Sequence, residues 1–219
     1  MDHATLVRCW RCADEHLATL FCPHCQAIQQ LPSQVDYFSV FGLPRNPVVD
    51  EATLTSRYYE LSRRLHPDLY QTGTPEEKDA SLKNTALLNR AYRILRDLVQ
   101  RGQYWLELQG EQLGRDNNRV PPALAALVFE VQEKLAEVRE ARAAGKGTEV
   151  TAELATVRAE VQAQFEQSRT TLKKNLAQWS NANGTLPLLQ QLKTCLSEVA
   201  YLRTLLRDVD KESEESWSG

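Results

Sequence analysis

The chain has 219 residues, 42% of them hydrophobic and 25% charged, with a net charge of −3. That length suits one large domain or two small ones, and the near-balanced charge removes any broad electrostatic case for nucleic acid. Only nine glycines and nine prolines interrupt long stretches rich in Ala, Leu, Glu, Gln and Arg, so a mostly helical protein is expected. No apolar run reaches the roughly 20 residues needed to span a bilayer, so no membrane partner is expected. The opening MDHATLVRCW has neither a secretory profile nor the Arg- and Ser-rich character of a transit peptide. A cytoplasmic location is the default, with the mitochondrial matrix open to a chain whose presequence has been removed.

Four of the five cysteines fall in the first 25 residues, as Cys9-Trp-Arg-Cys12 and Cys22-Pro-His-Cys25. Each Cys-x-x-Cys pair can wrap a metal ion with a tight turn, and two pairs close a tetrahedron. Zinc suits four thiolates, at a metal–sulfur distance of about 2.3 Å. Iron is the alternative, since Cys-Pro-x-Cys also suits a rubredoxin-like site. A reducing compartment disfavours disulfides. With all four ligands from protein the site is structural, and binding orders a segment too short to fold alone. The short gap between the pairs predicts a small knuckle hairpin with Leu17, Leu20 and Phe21 on its apolar side. His3, His16 and His24 are expected in solvent, and Cys195 in a helix core.

After a connector, Leu31 to Gln34, the segment Val35 to Pro44 brings Tyr37, Phe38, Phe41 and Leu43 into an apolar patch, and Gly42-Leu-Pro44 stops a first helix. Asp50 is a good N-cap, with Glu51 in the first turn. Leu54, Tyr58, Leu61 and Leu65 then follow at helical spacing, while Arg57 and Arg64, with Arg63 close by, form a basic face. Pro67 ends that helix, and Gln71-Thr-Gly-Thr-Pro75 is a polar loop. A second helix over Glu76 to Val99 carries Thr85, Leu88, Tyr92, Leu95 and Val99 on one stripe. Two singly striped helices pack as an antiparallel pair, which leaves His66-Pro67-Asp68 presented to solvent between them.

A basic helix, a His-Pro-Asp loop and a second helix bearing Leu88-Asn-Arg-Ala-Tyr92 resemble a J-domain. In that family the basic helix docks on an acidic surface of a DnaK-type chaperone, and the loop triggers its ATP hydrolysis. The resemblance implies that Arg57, Arg63 and Arg64 steer docking, that Asp68 is the trigger, and that His66 and Pro67 shape the loop. It implies a regulator of a partner ATPase, with no catalytic residues of its own.

Beyond it, Tyr104-Trp-Leu-Glu-Leu108 is expected to stitch two domains together, Gly114 to Arg119 is a polar linker, and Pro121-Pro122 opens another helix. Three apolar stripes follow. They are Leu124, Val128, Val131, Leu135 and Val138; then Val150, Leu154, Val157, Val161 and Phe165, extending through Leu172 and Leu176 to Trp179; then Leu188, Leu192, Cys195, Val199, Leu202, Leu206 and Val209. Breaks at Gly145-Lys-Gly147 and Asn183-Gly184 separate them, so a three-helix bundle is expected. The tail from Asp208 to Gly219 is acidic and Ser-rich, and is expected to be disordered past the last helical turn.

Asp36-Tyr-Phe-Ser-Val-Phe-Gly-Leu-Pro44, the His-Pro-Asp loop and the short bundle together resemble the HscB family, the J-protein co-chaperones of iron–sulfur cluster biogenesis. The resemblance covers about residues 35 to 210. It implies that the bundle binds an IscU-type scaffold and delivers it to an HscA-type chaperone. The implied scaffold contacts are Ala125, Ala126, Phe129, Glu130, Glu133 and Glu137 on the first bundle helix, with Tyr201 on the last; the family often has larger apolar residues where Ala125-Ala126 stand. The cysteine module resembles the extension of animal mitochondrial members. Its role is open among stabilising the N-terminus, weak dimerisation, modulating partner contact and receiving a cluster.

The organisation expected is therefore all-α: a metal-binding module over 1–34, a J-domain over 35–115, a scaffold-binding bundle over 116–210 and a tail over 211–219. The alternatives are a general J-protein serving unfolded clients, and a nucleic-acid module on the cysteine cluster. Asp14-Glu15 between the ligands argues against the second.

Overall fold

The structure is a computed structural model and describes residues 6–32, 34–113, 119–144, 147–182 and 185–215. His3, Val150's side chain, most of the 114–119 linker, the Asn183-Gly184 break and residues 216–219 lie outside what it describes. The chain divides into two compact units, Met1–Arg101 and Gly102–Gly219.

In the first unit, strands β1 (Leu6–Arg8) and β2 (Glu15–Leu17) pair antiparallel, with Leu6 opposite Leu17 and Val7 opposite His16. An isolated bridge joins Phe21 and Ile28. Strand residues alternate faces, which explains one departure from expectation. His16 turns inward, 7% exposed, with its Nδ1 2.7 Å from the Leu17 carbonyl oxygen, so Leu17 turns outward at 53% exposure. The module's apolar side is instead Leu20, Ala27, Ile28 and Leu31, with Phe21 half-buried.

Three helices build the rest of this unit, and a fourth begins in it. Helix α1 (Tyr37–Val40) starts at Asp36, whose carboxylate accepts from the Phe38 N–H, and closes through Gly42 at φ +59, a conformation open to glycine. Helix α2 (Glu51–Leu65) starts where Asp50 accepts from the Thr53 N–H and hydroxyl, bonds that hold the Asp50 pKa below its usual value. Helix α3 (Pro75–Arg96) opens with Pro75 at its first turn and a reciprocal capping box between Thr74 and Glu77. The single long helix expected over 76–99 is broken at Asp97. Its backbone is extended (φ −80, ψ 121), and its carboxylate caps the N–H groups of Val99 and Gln100 to start α4 (Leu98–Leu108).

Helices α2 and α3 pack as a hairpin. Leu54, Leu65, Leu88 and Leu95 are fully buried in it. Tyr58 and Tyr92 stack with ring centroids 4.0 Å apart, and Tyr58 donates to the Asn89 side chain at 3.0 Å. The apolar stripes read from the sequence are thus the contact faces.

In the second unit, a 3-10 turn at Pro122–Leu124 leads into α5 (Ala125–Ala143), followed by α6 (Gly147–Ala182) and α7 (Leu186–Glu215). The core joins all three helices through Leu124, Val131, Leu135 and Val138, Leu154, Val157 and Val161, and Leu202, Leu205 and Val209. Cys195 is buried, which raises its thiol pKa to about 11. Trp105 and Leu106 of α4 are buried, and a Cβ at Gly102 would come 2.7 Å from Leu196 Cδ2, so α4 approaches α7 closely at that point. The aromatic patch at 104–108 therefore belongs to this unit, and the division falls at 101/102, ahead of the polar linker expected to mark the boundary.

Order also runs past residue 210. Helix α7 continues to Glu215 because Val209 is fully buried and Glu212, only 8% exposed, pairs with Arg139 of α5, while Asp210 pairs with Arg158 of α6 at 2.6 Å. The chain is otherwise all-α, as expected. Among the described residues, no helix is long and apolar enough to cross a membrane. Truncating Leu202 to alanine opens a cavity in the three-helix core and should lower stability by about 2–5 kcal/mol. Denaturant unfolding of the full chain is the check, with Gln190→Ala, at an exposed position of α7, as a control expected near zero.

Candidate metal centre and His-Pro-Asp loop

The two Cys-x-x-Cys segments adopt the same turn. Ala13 N–H donates to the Cys9 carbonyl at 3.0 Å and Gln26 N–H to the Cys22 carbonyl at 2.9 Å. The residue after each second cysteine is left-handed, Ala13 at φ 63 and Gln26 at φ 60. A non-glycine residue is disfavoured there and persists where the surroundings fix it. The turns aim four sulfurs at one point: all four Sγ atoms lie within 4.8 Å of one another, with Cys9–Cys25 at 3.6 Å and Cys12–Cys22 at 3.7 Å. A tetrahedron with metal–sulfur bonds of about 2.3 Å has edges of about 3.8 Å, so the donor set fits a tetrahedral ion.

The electrostatics agree. Burial pushes the Cys9 thiol up, but N–H groups of Cys12 and Arg11 pointing at its sulfur outweigh this and lower its pKa to about 6. The Asp14 backbone favours the Cys12 thiolate, yet burial and the sulfurs of Cys9, Cys25 and Cys22 push that thiol up to about 12. A cation is what allows four such close sulfurs to be thiolates together. These four cysteines are therefore placed to bind a metal ion. His24 is exposed and His16 buried, and neither belongs to the cluster.

The loop is built from the end of α2. Leu65 is fully buried, and its carbonyl, left open by the end of the helix, accepts from two α3 hydroxyls, Ser81 at 2.6 Å and Thr85 at 3.1 Å. Tyr70 donates to the Arg64 carbonyl at 3.0 Å. Between these anchors Pro67–Tyr70 forms a 3-10 turn. His66 Nδ1 accepts from the Asp68 N–H at 3.3 Å, and Gln71 donates to Asp68 Oδ1 at 3.2 Å. The His66 and Asp68 side chains remain 57% and 70% exposed. The backbone is held while the polar tips face solvent.

The three arginines of α2 differ. Arg57 donates to the carbonyls of Phe41 (2.7 Å) and Gly42 (3.3 Å), tying α2 to the end of α1. Arg64 lies 4.0 Å above the Phe21 ring and 3.9 Å from Glu60. Arg63 is exposed. On α5, Ala125, Ala126, Phe129, Glu130, Glu133 and Glu137 are all exposed, Phe129 at 70%; Glu137 takes a 2.7 Å pair from Lys134. Tyr201 on α7 is half-buried against the bundle core. Ser81 and Asn84, which sequence reasoning does not single out, and Thr85, which it places only on the α3 stripe, also hold backbone groups around the site. Their signal is polar residues at positions of α3 that face its partners.

A helical hairpin that presents a His-Pro-Asp turn defines a J-domain protein, and residues 36–104 match the DnaJ domain family. The iron-sulfur cluster co-chaperone protein HscB of Homo sapiens is 37% identical over 147 residues, 65% of this chain and 62% of that protein. Its homolog in Arabidopsis thaliana is 32% identical over 129 residues, 59% and 51% of the two chains. The co-chaperone protein HscB homolog of Aromatoleum aromaticum is 40% identical over 118 residues, 54% and 66%. The chain thus spans about half to two thirds of these relatives' length. The crystal structure of human co-chaperone protein HscB matches at a TM-score of 0.74 and 26% identity, covering 94% of this chain and 98% of that one. The chain carries a J-domain and is similar to the HscB-type J-proteins over most of its length.

One tetrahedral ion per chain is expected at the cysteine cluster. Cobalt(II) titration should give thiolate-to-metal charge-transfer bands saturating at one equivalent, and Cys22→Ser should weaken binding strongly. Saturation at one equivalent with undiminished affinity in that variant would remove Cys22 from the ligand set.

Proposed function

We propose that this protein is a co-chaperone of iron–sulfur cluster transfer. It binds an IscU-type scaffold through its C-terminal bundle, brings it to an HscA/DnaK-type chaperone and stimulates that chaperone's ATP hydrolysis through the His-Pro-Asp loop. The observation that carries the reading is the loop itself, a backbone anchored on both sides that leaves the Asp68 carboxylate 70% exposed. Relatives named as iron-sulfur cluster co-chaperones support the cluster-transfer context.

Catalysis stays in the partner's nucleotide site, and this chain supplies geometry. Arg63 and Arg64 favour an acidic docking surface, and exposed charges of this kind act on encounter rate and orientation. Arg57 contributes by holding α1 against α2. Asp68 becomes a desolvated charge at the interface, where truncation is costly, with His66 and Pro67 fixing the direction in which it points. The scaffold meets Phe129, an exposed aromatic flanked by Ala125, Ala126, Glu130, Glu133 and Glu137, with Tyr201 contributing from α7. Cys9, Cys12, Cys22 and Cys25 hold a structural zinc ion, which neutralises the thiolates and fixes the two turns.

Asp68→Asn should abolish stimulation of the chaperone ATPase in a steady-state assay while the circular dichroism melt and scaffold affinity stay unchanged; retained stimulation would take the trigger role away from Asp68. Phe129→Ala should weaken scaffold binding by about 2 kcal/mol, read by calorimetry, without altering stimulation in the absence of scaffold. An unaltered affinity would move the scaffold site off this face of α5.

A further inference from the structure

The cysteine module does not stand apart from the hairpin. Asn84 on α3 is fully buried, and both ends of its carboxamide are used on the segment that follows the last cysteine. Nδ2 donates to the Gln29 carbonyl at 2.7 Å and Oδ1 accepts from the Leu31 N–H at 3.2 Å. On the same helix, Ser81 and Thr85 hold the Leu65 carbonyl at the root of the loop. A second contact comes from the module itself. Phe21, the neighbour of Cys22, packs its ring 4.0 Å under the Arg64 guanidinium, and the Arg64 carbonyl is the group that Tyr70 grips. Phe21 is also bridged to Ile28 across the second cysteine turn.

We propose that the cysteine module is a metal-dependent clamp on the residues that carry the His-Pro-Asp loop, with Asn84 and Phe21 as the positioning residues that couple it to the hairpin. Two three-residue strands cannot hold such a module without the ion. When the ion leaves, the cysteine turns loosen, Phe21 releases Arg64, and the Asn84 carboxamide loses both buried partners, an arrangement that buried polar groups resist. By linkage the effect is reciprocal: whatever the ion contributes to order at Arg64–Tyr70, those contacts return as metal affinity. The consequence for ATPase stimulation rests on the function proposed above; the clamp itself does not.

The experiment uses the full chain loaded with zinc. Removal of zinc by a chelator should speed amide hydrogen exchange across residues 60–70. Zinc transfer to a colorimetric chelator should be faster from Phe21→Leu by about two- to five-fold, the factor expected of an exposed cation–π contact. Phe21→Tyr, which keeps the aromatic face, should restore the wild-type rate, and Asn84→Ala should accelerate release further. If Asn84→Ala does not fold, the Phe21 pair decides. Exchange at 60–70 that is indifferent to zinc overturns the proposal, as does wild-type release from Phe21→Leu, or release from Phe21→Tyr as fast as from Phe21→Leu. Failure of the zinc-loaded protein to stimulate any chaperone ATPase would instead strike the functional reading and leave these measurements standing.

Discussion

Much of the first unit depends on how α2 ends. A helix terminus leaves carbonyls without partners, and the sequence places proline just past Leu65, so the chain cannot satisfy them by continuing. Ser81 and Thr85 of α3 take the Leu65 carbonyl instead, and Tyr70 takes that of Arg64. The terminus is thereby held by side chains from outside α2, and the three residues that follow open a hydrogen-bonded 3-10 turn. An exposed polar loop would ordinarily be among the most mobile parts of a fold. Here the backbone is hydrogen-bonded on both sides of the loop, and only the side-chain tips of His66 and Asp68 face solvent.

The rest of the unit repeats this use of polar side chains on backbone groups. Arg57 closes α1, Asp97 ends α3 and starts α4, and Asn84 receives the segment after the cysteines. The cysteine module has few apolar side chains, and convergence of four sulfurs replaces the core it lacks. The second unit is held differently: a long apolar seam runs through α5, α6 and α7, with Arg139–Glu212 and Arg158–Asp210 at its margin. It can leave Phe129 in solvent because other residues on α5 supply the packing.

How much of this is legible in the sequence depends on whether a feature is periodic. The stripes of α2, α3, α5, α6 and α7 are regular, and most of the residues they name are buried. The paired cysteines and the His-Pro-Asp triplet are short motifs whose spacing carries their chemistry, so they are legible as well. The features that escape are non-periodic or depend on partners distant in the chain. The Asp97 break hides inside a continuous helical pattern, although an aspartate before a new apolar run is an N-cap signal. The burial of His16 follows from strand alternation in a hairpin too short to announce itself. The tail past residue 210 reads as disordered by composition, yet Arg139, far earlier in the chain, pairs with Glu212 and extends the helix. Arg57 and Arg64 read as free charges, and their engagement by the Phe41 and Gly42 carbonyls and by Phe21 is tertiary.

The central functional claim is that one chain couples a scaffold to a chaperone's ATPase. The most direct measurement is single-turnover ATP hydrolysis by an HscA/DnaK-type chaperone, with this protein added in the presence and absence of an IscU-type scaffold. The expected result is stimulation by this protein that rises synergistically when the scaffold is also present. Stimulation indifferent to the scaffold would contradict the cluster-transfer function and leave a general J-protein, and no stimulation under either condition would contradict the role of the loop as well.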